Sequence, residues 1–208
     1  MRAVVMRARG GPEVLEVADL PVPEPGPKEV RVRLKAAALN HLDVWVRKGV
    51  ASPKLPLPHV LGADGSGVVD AVGPGVEGFA PGDEVVINPG LSCGRCERCL
   101  AGEDNLCPRY QILGEHRHGT YAEYVVLPEA NLAPKPKSLS FEEAAAIPLT
   151  FLTAWQMVVD KLGVRPGDDV LVMAAGSGVS VAAIQIAKLF GARVIATAGS
   201  EDKLRRAK

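Results

Sequence analysis

Hydrophobic and polar residues alternate with a period of two in the first part of the chain. Residues 30–34 are the clearest case, where Val30, Val32 and Leu34 predict the buried face of a half-exposed strand. Similar short apolar runs, separated by glycine and proline, predict strands at residues 2–6, 14–17, 83–88 and 121–127, and a strand around residues 68–69 within the glycine-containing stretch 59–72. Residues 21–27 are rich in proline and predict an irregular connector. Many short strands of this kind predict a small β-barrel or sandwich.

The pattern changes near Ser140, where helical signals begin. Ser140 and Glu143 have the spacing of a capping box at the start of a helix. A second helix is expected from near Pro148 to about Lys161, since proline is tolerated in a first helical turn. We therefore divide the chain into a β domain at residues 1–134 and a second domain, with its linker helices, at residues 135–208.

The second domain has the order strand, glycine-rich turn, helix, strand. Residues 170–174, within a strand expected at 169–174, are continuously apolar, which is typical of a strand buried on both faces of a parallel sheet. The following helix is expected to stop at Gly191, before a strand at 193–197 and a helix from Glu201. This order predicts the first part of a dinucleotide-binding fold.

The turn between the first strand and the helix could bind a phosphate group. It has the spacing Gly176-x-Gly178-x-Ser180, in which serine replaces the usual third glycine. Backbone amides at a helix N-terminus attract a pyrophosphate, so the expected contacts come from Gly176, Ser177, Gly178 and Val179. An ordinary strand-to-helix turn is the alternative.

The residues after the second strand indicate which nucleotide is bound. An acidic residue there usually binds the ribose 2′-hydroxyl of NAD. This chain has Ala198 and Gly199, and then Ser200 and Lys203. A small polar residue and a cation suit a 2′-phosphate, which favours NADP over NAD, although Glu201 argues the other way.

All four cysteines of the chain lie between residues 93 and 107. Their spacing predicts a closed tetrahedral site for structural zinc within a lobe at about residues 90–110, and the ligands are Cys93, Cys96, Cys99 and Cys107. An iron–sulfur cluster and a pair of disulfides are the alternatives. Four protein ligands would leave no open position for catalysis.

Composition narrows the functional classes. The 208 residues contain 24 Lys plus Arg and 24 Asp plus Glu, a balance that gives no electrostatic case for nucleic acid or an anionic membrane surface. Hydrophobic residues make up 47%, enough for a packed core. Neither a secretory signal nor an apolar run of about 20 residues is visible, so a globular cytoplasmic protein is expected.

Together these motifs resemble the medium-chain dehydrogenase/reductase superfamily, which includes zinc alcohol dehydrogenases and quinone oxidoreductases. The resemblance also rests on LGADGSGVV at 61–69 and GTYAEYV at 119–125. It implies an α/β plus β fold, in which a GroES-like β-barrel precedes a Rossmann sheet and the active site lies in the cleft between them. It also implies a homodimer or homotetramer.

One departure from the superfamily decides the expected chemistry. Alcohol dehydrogenases hold a catalytic zinc with cysteine, histidine and cysteine at the positions that match Asn40, Ala63 and Leu149, and all three ligands are absent here. The site then resembles that of quinone oxidoreductases, which transfer hydride from NADPH to a quinone or to a carbonyl-conjugated C=C bond. Without a metal, hydrogen-bond donors must stabilise the developing charge.

The resemblance supplies four candidate site residues. Asn40 is expected to donate a hydrogen bond in the cleft, Trp45 to form a flat wall against the substrate, and Asp64 to orient its neighbours. Thr153 is expected to contact the nicotinamide by its family position. The alternative is that the asparagine and the aspartate only build turns.

Two other functions stay open. One is an NAD(P)-dependent alcohol dehydrogenase with a rearranged metal site made of Asn40, His41, His59 and Asp64. The other is a non-catalytic, zinc-stabilised binding protein. A doubly wound domain has about six strands, whereas only two are predicted before Lys208. We therefore expect the sequence to be part of a longer chain, to which the function belongs.

Overall fold

The computed structural model describes residues 1–207, which form two compact units, 1–148 and 149–207. The elements of the first unit are β1 (Arg2–Met6), β2 (Leu15–Asp19), β3 (Glu29–Ala38), α1 (His41–Lys48), β4 (His59–Val60), β5 (Asp64–Val72), β6 (Glu84–Ile87), β7 (Gly90–Leu91), α2 (Glu97–Leu100), β8 (Gln111–Ile112), β9 (Tyr124–Pro128), β10 (Leu132–Pro134) and α3 (Phe141–Ala145). Short 3₁₀ turns lie at Pro12–Val14, Asp104–Leu106 and Glu129–Asn131.

Antiparallel sheets form the first unit. The larger sheet has the strand order β10-β6-β5-β3-β9, a smaller one has the order β2-β1-β4, and β7 pairs with β8. Val30 and Val32 are fully buried and lie opposite Leu127 and Val125 of β9, while Leu34 packs against the same core. The period-two prediction for β3 is therefore confirmed.

The first unit extends beyond residue 134, where the sequence pattern placed the domain boundary. Helix α3 packs on β3, β5 and β6, and its Ala144 and Ala145 are buried. The hydroxyl of Ser66 donates a 2.5 Å hydrogen bond to the carbonyl of Phe141. Both bonds of the predicted capping box are present, since Ser140 accepts from the amide of Glu143 and the Glu143 carboxylate accepts from the amide of Ser140.

The second unit contains the predicted strand–helix–strand. Its elements are α4 (Pro148–Trp155), which continues as a π-helical turn (Gln156–Lys161), then β11 (Asp169–Val172), α5 (Gly178–Leu189), β12 (Arg193–Ala196) and α6 (Glu201–Arg206). Strands β11 and β12 are parallel, with Val170 beside Val194. Ala182, Ile186 and Ala187 of α5 pack with Val172 in the core of this unit.

One prediction for β11 is wrong within the described residues. Val172 is buried, but Leu171 is 62% exposed and Met173 just after the strand is 71% exposed. The reason is that side chains alternate between the faces of a strand, and α5 covers only one face of the two-stranded sheet. Over residues 1–207, no helix is long and apolar enough to cross a membrane.

Candidate metal centre and candidate active site

The four cysteines converge on one point in the loop between β7 and β8. Their sulfur atoms all lie within 4.8 Å of one another. Cys99 Sγ is 3.8 Å from Cys93 Sγ and 3.4 Å from Cys96 Sγ. Tetrahedral zinc with Zn–S bonds of about 2.3 Å would hold its sulfurs about 3.8 Å apart, so the sulfur positions fit zinc.

The chemistry of the donors also suits a cation. All four cysteines are free, and their sulfur separations far exceed the roughly 2.05 Å of a disulfide bond. Cys107 Sγ accepts hydrogen bonds from the backbone amides of Cys93 and Arg109. The Arg95 amide, with help from the Arg109 side chain, lowers the pKa of Cys93 to about 5, which favours the thiolate that binds metal.

Asn40 and Asp64, which are 24 positions apart in sequence, are joined by a hydrogen bond. Asn40 lies just before α1, and its side-chain Nδ2 donates to Asp64 Oδ2 across 2.9 Å. Asp64 begins β5 and is only 1% exposed, and its backbone carbonyl accepts from the hydroxyl of Thr120. The structure thus brings together two of the three predicted catalytic residues and fixes the orientation of the Asn40 amide.

Asp43 accepts three hydrogen bonds next to the Asn40–Asp64 pair. Its buried carboxylate accepts from the amides of Asn40 and Gly62, at 2.8 and 3.1 Å, and from the hydroxyl of Tyr121 at 2.7 Å. Burial, reinforced by Asp43 and Asp64, raises the pKa of Tyr121 well above its usual value. The sequence analysis did not single out Tyr121, although it lies within the motif at 119–125.

Asn40, Asp43 and Tyr121 line a cavity of about 290 Å³, which we name the Asn40 cleft. Its wall contains both polar and apolar residues, namely Leu15, Leu39, Asn40, His41, Asp43, Val44, Arg47, Leu61 and Tyr121. Trp45 is not part of this wall. Its indole is 47% exposed and packs edge-on against the ring of His41, with centroids 4.9 Å apart.

The histidines do not gather around Asp64. His59 is buried, and its Nε2 lies 3.0 Å from the carbonyl of Gly114. Burial is the main reason that its pKa falls to about 4, so the ring is neutral at neutral pH. Within residues 1–207, the cysteine cluster is the only group of three or more His, Cys, Asp or Glu side chains close enough to share a metal ion. His41, His59 and Asp64 therefore do not come together as a shared metal site.

The glycine-rich turn has the geometry of a close-packed helix start. Ser177 caps α5 by accepting from the amide of Ser180, whose own hydroxyl donates to the carbonyl of Met173 across 2.8 Å. The serine at the usual third glycine position thus ties the helix to the end of β11. A Cβ on Gly178 would lie 3.0 Å from the Thr150 side chain, which explains why a larger residue would not fit easily.

The other predicted nucleotide contacts lie in the same unit. A Cβ on Gly176 would be 3.3 Å from the side chain of Lys203, so this lysine lies beside the turn. Ser200 caps α6 by accepting from the amide of Lys203. Val179 is partly buried in the core of the unit. Thr153 donates its hydroxyl hydrogen to the carbonyl of Leu149 across 2.7 Å, which leaves the hydroxyl oxygen able to accept.

The profile of the alcohol dehydrogenase GroES-like domain matches residues 26–137. The chain belongs to this family. The alcohol dehydrogenase GroES-like match covers β3 to β10, and so includes the cysteine lobe, Asn40 and Asp64.

Relatives of this family extend the match to the whole chain. A zinc-type alcohol dehydrogenase-like protein of Schizosaccharomyces pombe is 40% identical over 100% of this chain and 59% of its own length. Human quinone oxidoreductase is 32% identical over 97% of this chain and 54% of its own length. The cobalt- and zinc-bound thermostable alcohol dehydrogenase of Pyrobaculum aerophilum is 37% identical, with a TM-score of 0.92 over 99% of this chain and 62% of its own.

These similarities confirm the resemblance to the medium-chain dehydrogenase/reductase superfamily and the fold class inferred from sequence. The relatives include both alcohol dehydrogenases and quinone oxidoreductases, so similarity alone does not choose between these two reactions. The chain spans about 54 to 62% of the length of the relatives described above.

Proposed function

We propose that this chain is part of an NAD(P)H-dependent oxidoreductase that reduces quinones or carbonyl-conjugated C=C bonds without a catalytic zinc. The observation that carries the proposal is the hydrogen bond between Asn40 and Asp64. An alcohol dehydrogenase of the superfamily would have metal ligands at the positions of Asn40 and Ala63. Here an amide occupies the first position and a buried methyl group the second.

Zinc is proposed to bind the cysteine cluster as a structural ion. Cys93, Cys96, Cys99 and Cys107 together supply a full tetrahedral set, so the ion would hold the loop between β7 and β8 in place and would not contact substrate. The separation of the sulfur atoms supports this assignment. Metal analysis would distinguish zinc from the alternative occupant, an iron–sulfur cluster.

NADPH is the proposed hydride donor. The amides of residues 176–179 at the start of α5 would hold its pyrophosphate, and Ser200 and Lys203 would bind the 2′-phosphate. The position of the Lys203 side chain next to Gly176 supports this choice, because it places a cation beside the turn. Glu201, which starts α6, is the residue that would favour NAD.

Bound NADPH would supply the hydride and so become NADP⁺, and solvent would supply the proton that completes the reduction of the enone C=C bond or of the quinone to a hydroquinone. During hydride transfer, negative charge builds on the conjugated carbonyl oxygen. Asn40 is proposed to donate a hydrogen bond to that oxygen with the amide hydrogen that Asp64 does not use. Asp64 acts as a positioning residue.

Trp45 is exposed next to His41 and remains a proposed substrate contact outside the Asn40 cleft. Thr153 remains a proposed nicotinamide contact.

The decisive experiment compares two reactions of the purified protein. We expect NADPH oxidation with benzoquinone or cyclohexenone, and no NADP⁺ reduction with primary or secondary alcohols. Alcohol-dependent reduction of NADP⁺ or NAD⁺ would replace this proposal with the alcohol dehydrogenase reaction. Nucleotide binding without either reaction would leave a zinc-stabilised binding protein.

A homodimer or homotetramer remains a prediction from the resemblance, to be measured by light scattering.

A further inference from the structure

One charged group in the Asn40 cleft lacks a partner. The Nε atom of Arg47 is buried, and it has no hydrogen-bond partner among the described residues. Arg47 itself is part of the cleft wall. Buried donors are nearly always paired in folded proteins, because water no longer compensates for the missing bond. An unpaired guanidinium hydrogen on a residue of the cleft wall therefore needs an explanation.

The obvious partner for Arg47 is already engaged. Asp43 lies one helical turn earlier on α1, the spacing at which an aspartate and an arginine usually pair. Its carboxylate is instead turned toward three donors, the amides of Asn40 and Gly62 and the hydroxyl of Tyr121. The three hydrogen bonds hold Asp43 in place and leave Arg47 available.

We propose that Arg47 binds a carboxylate of the substrate, so that the preferred substrates are short unsaturated keto acids. This inference rests on the proposed reduction, because Asn40 would bind the ketone oxygen of the same molecule. The side of a guanidinium that carries Nε and one Nη presents two parallel N–H groups, which match the two oxygens of a carboxylate.

The rest of the cleft is compatible with such a molecule. Its volume of about 290 Å³ suits a ligand of modest size, and Leu15, Leu39, Val44 and Leu61 provide apolar contacts for a short carbon chain. The carboxylates of Asp43 and Asp64 would repel a substrate carboxylate less than carboxylates without hydrogen bonds would. Asp43 accepts three hydrogen bonds, and Asp64 accepts one from Asn40. Arg47 supplies the compensating positive charge.

The test uses β-acetylacrylate and its methyl ester, which share the enone and differ in the carboxylate charge. NADPH-dependent reduction of the acid would give levulinate. We expect kcat/KM to favour the acid, and Arg47→Gln to reduce this preference about 10- to 100-fold, mainly through KM, as expected for a hydrogen-bonded charge pair. Lys48→Gln removes the same charge from the next, exposed position of α1 and should leave the preference within about twofold.

A binding measurement separates this inference from the proposed reaction. Levulinate has the ketone and the carboxylate but no double bond, and its affinity can be measured by calorimetry. Arg47-dependent binding of levulinate without turnover of either enone would support the anion site and overturn the reaction. Turnover of both enones with equal efficiency in the wild type would overturn the anion site and leave the reaction standing. If Arg47→Gln does not fold, Arg47→Lys keeps the charge without the paired N–H groups, and it should lose at least part of the preference.

Discussion

Tyr121 donates a 2.7 Å hydrogen bond to Asp43, although the two residues are 78 positions apart in sequence. This bond joins the segment before β9 to the first turn of α1. Because the same carboxylate also accepts from the amides of Asn40 and Gly62, one buried side chain fixes three segments around the Asn40 cleft. The cleft therefore depends on Asp43 for its shape, even though the proposed chemistry assigns Asp43 no contact with the reacting atoms.

The first prediction concerns the stability that the hydrogen bonds to Asp43 provide. Tyr121→Phe removes one hydrogen bond to a charged group and should lower the free energy of unfolding by about 1.5–3 kcal/mol. Asp43→Ala leaves three donors without an acceptor and should cost more than that. Urea denaturation measures both. Tyr124→Phe is the matched control, because it keeps the ring face that contacts Arg31 and should change stability little; an equal loss in both tyrosine variants would refute the role of the bond.

The second prediction concerns the acid sensitivity of the fold. The pKa of His59 is about 4 in the folded chain, against 6.5 for an unperturbed imidazole, chiefly because the ring is buried. The unfolded chain then binds more protons between pH 6.5 and 4, so the free energy of unfolding should fall as the pH drops through this window, by at most about 3 kcal/mol. His118, whose pKa burial also lowers, adds a smaller decrease of the same sign.

Urea denaturation of wild type and His59→Gln at pH 5 and pH 7.5 tests this. The variant keeps a side-chain N–H near the Gly114 carbonyl but cannot take up a proton, so its loss of stability at pH 5 should be clearly smaller. His116→Gln alters an exposed histidine and should behave like the wild type. An identical pH dependence in all three proteins would be incompatible with the assigned role of His59.

Much of this architecture is readable from local sequence. Period-two alternation identified β3 because its buried residues meet one core, and the capping box at Ser140 formed both of its bonds because it needs only residues three apart. The cysteines converge for the same reason, since their spacing confines them to one loop. The capping box and the cysteine cluster are therefore readable from sequence because their interacting groups lie within one short segment.

The features that could not be read from sequence depend on helix rotation or on distant partners. Asp43 and Arg47 are four residues apart and share one side of α1, whereas Trp45 is two residues from Asp43, about 200° around the helix. This explains why the indole lies outside the Asn40 cleft, while its contact with the substrate stays a prediction. The Tyr121–Asp43 bond and the exposure of Leu171 depend on tertiary packing, which no local pattern reports.

The third prediction concerns metal content. We expect one zinc per chain by inductively coupled plasma mass spectrometry, and Cys99→Ser should abolish tight binding because its sulfur is close to both Cys93 and Cys96. Loss of the ion should expose the loop around Cys93–Cys107 to limited proteolysis. His41→Ala, which removes a member of the alternative metal site, should keep the zinc. Two zinc ions per chain, with one lost in His41→Ala, would restore the alcohol dehydrogenase hypothesis.

The fourth prediction concerns the proposed donor. Asn40→Ala should reduce kcat for benzoquinone or cyclohexenone by about 100-fold, as expected when one donor to a developing oxyanion is lost. Asp64→Asn should have a smaller effect, because it weakens the orientation of the Asn40 amide without removing it. Asn105→Ala changes an exposed asparagine in the cysteine lobe and should leave kcat unchanged. A normal kcat in Asn40→Ala would remove this residue from the mechanism.

The fifth prediction concerns nucleotide choice. Lys203 lies beside Gly176, so Lys203→Gln should raise the KM for NADPH about tenfold while changing the KM for NADH by less than twofold, because only the phosphorylated ribose needs the cation. Arg206→Gln provides the control, since Arg206 is on the same helix and pairs with Asp202 at 3.1 Å. Initial-rate kinetics with both nucleotides measure the ratio. An equal rise for NADPH and NADH would mean that Lys203 supports the turn itself, and the preference for NADP would then have to come from other residues.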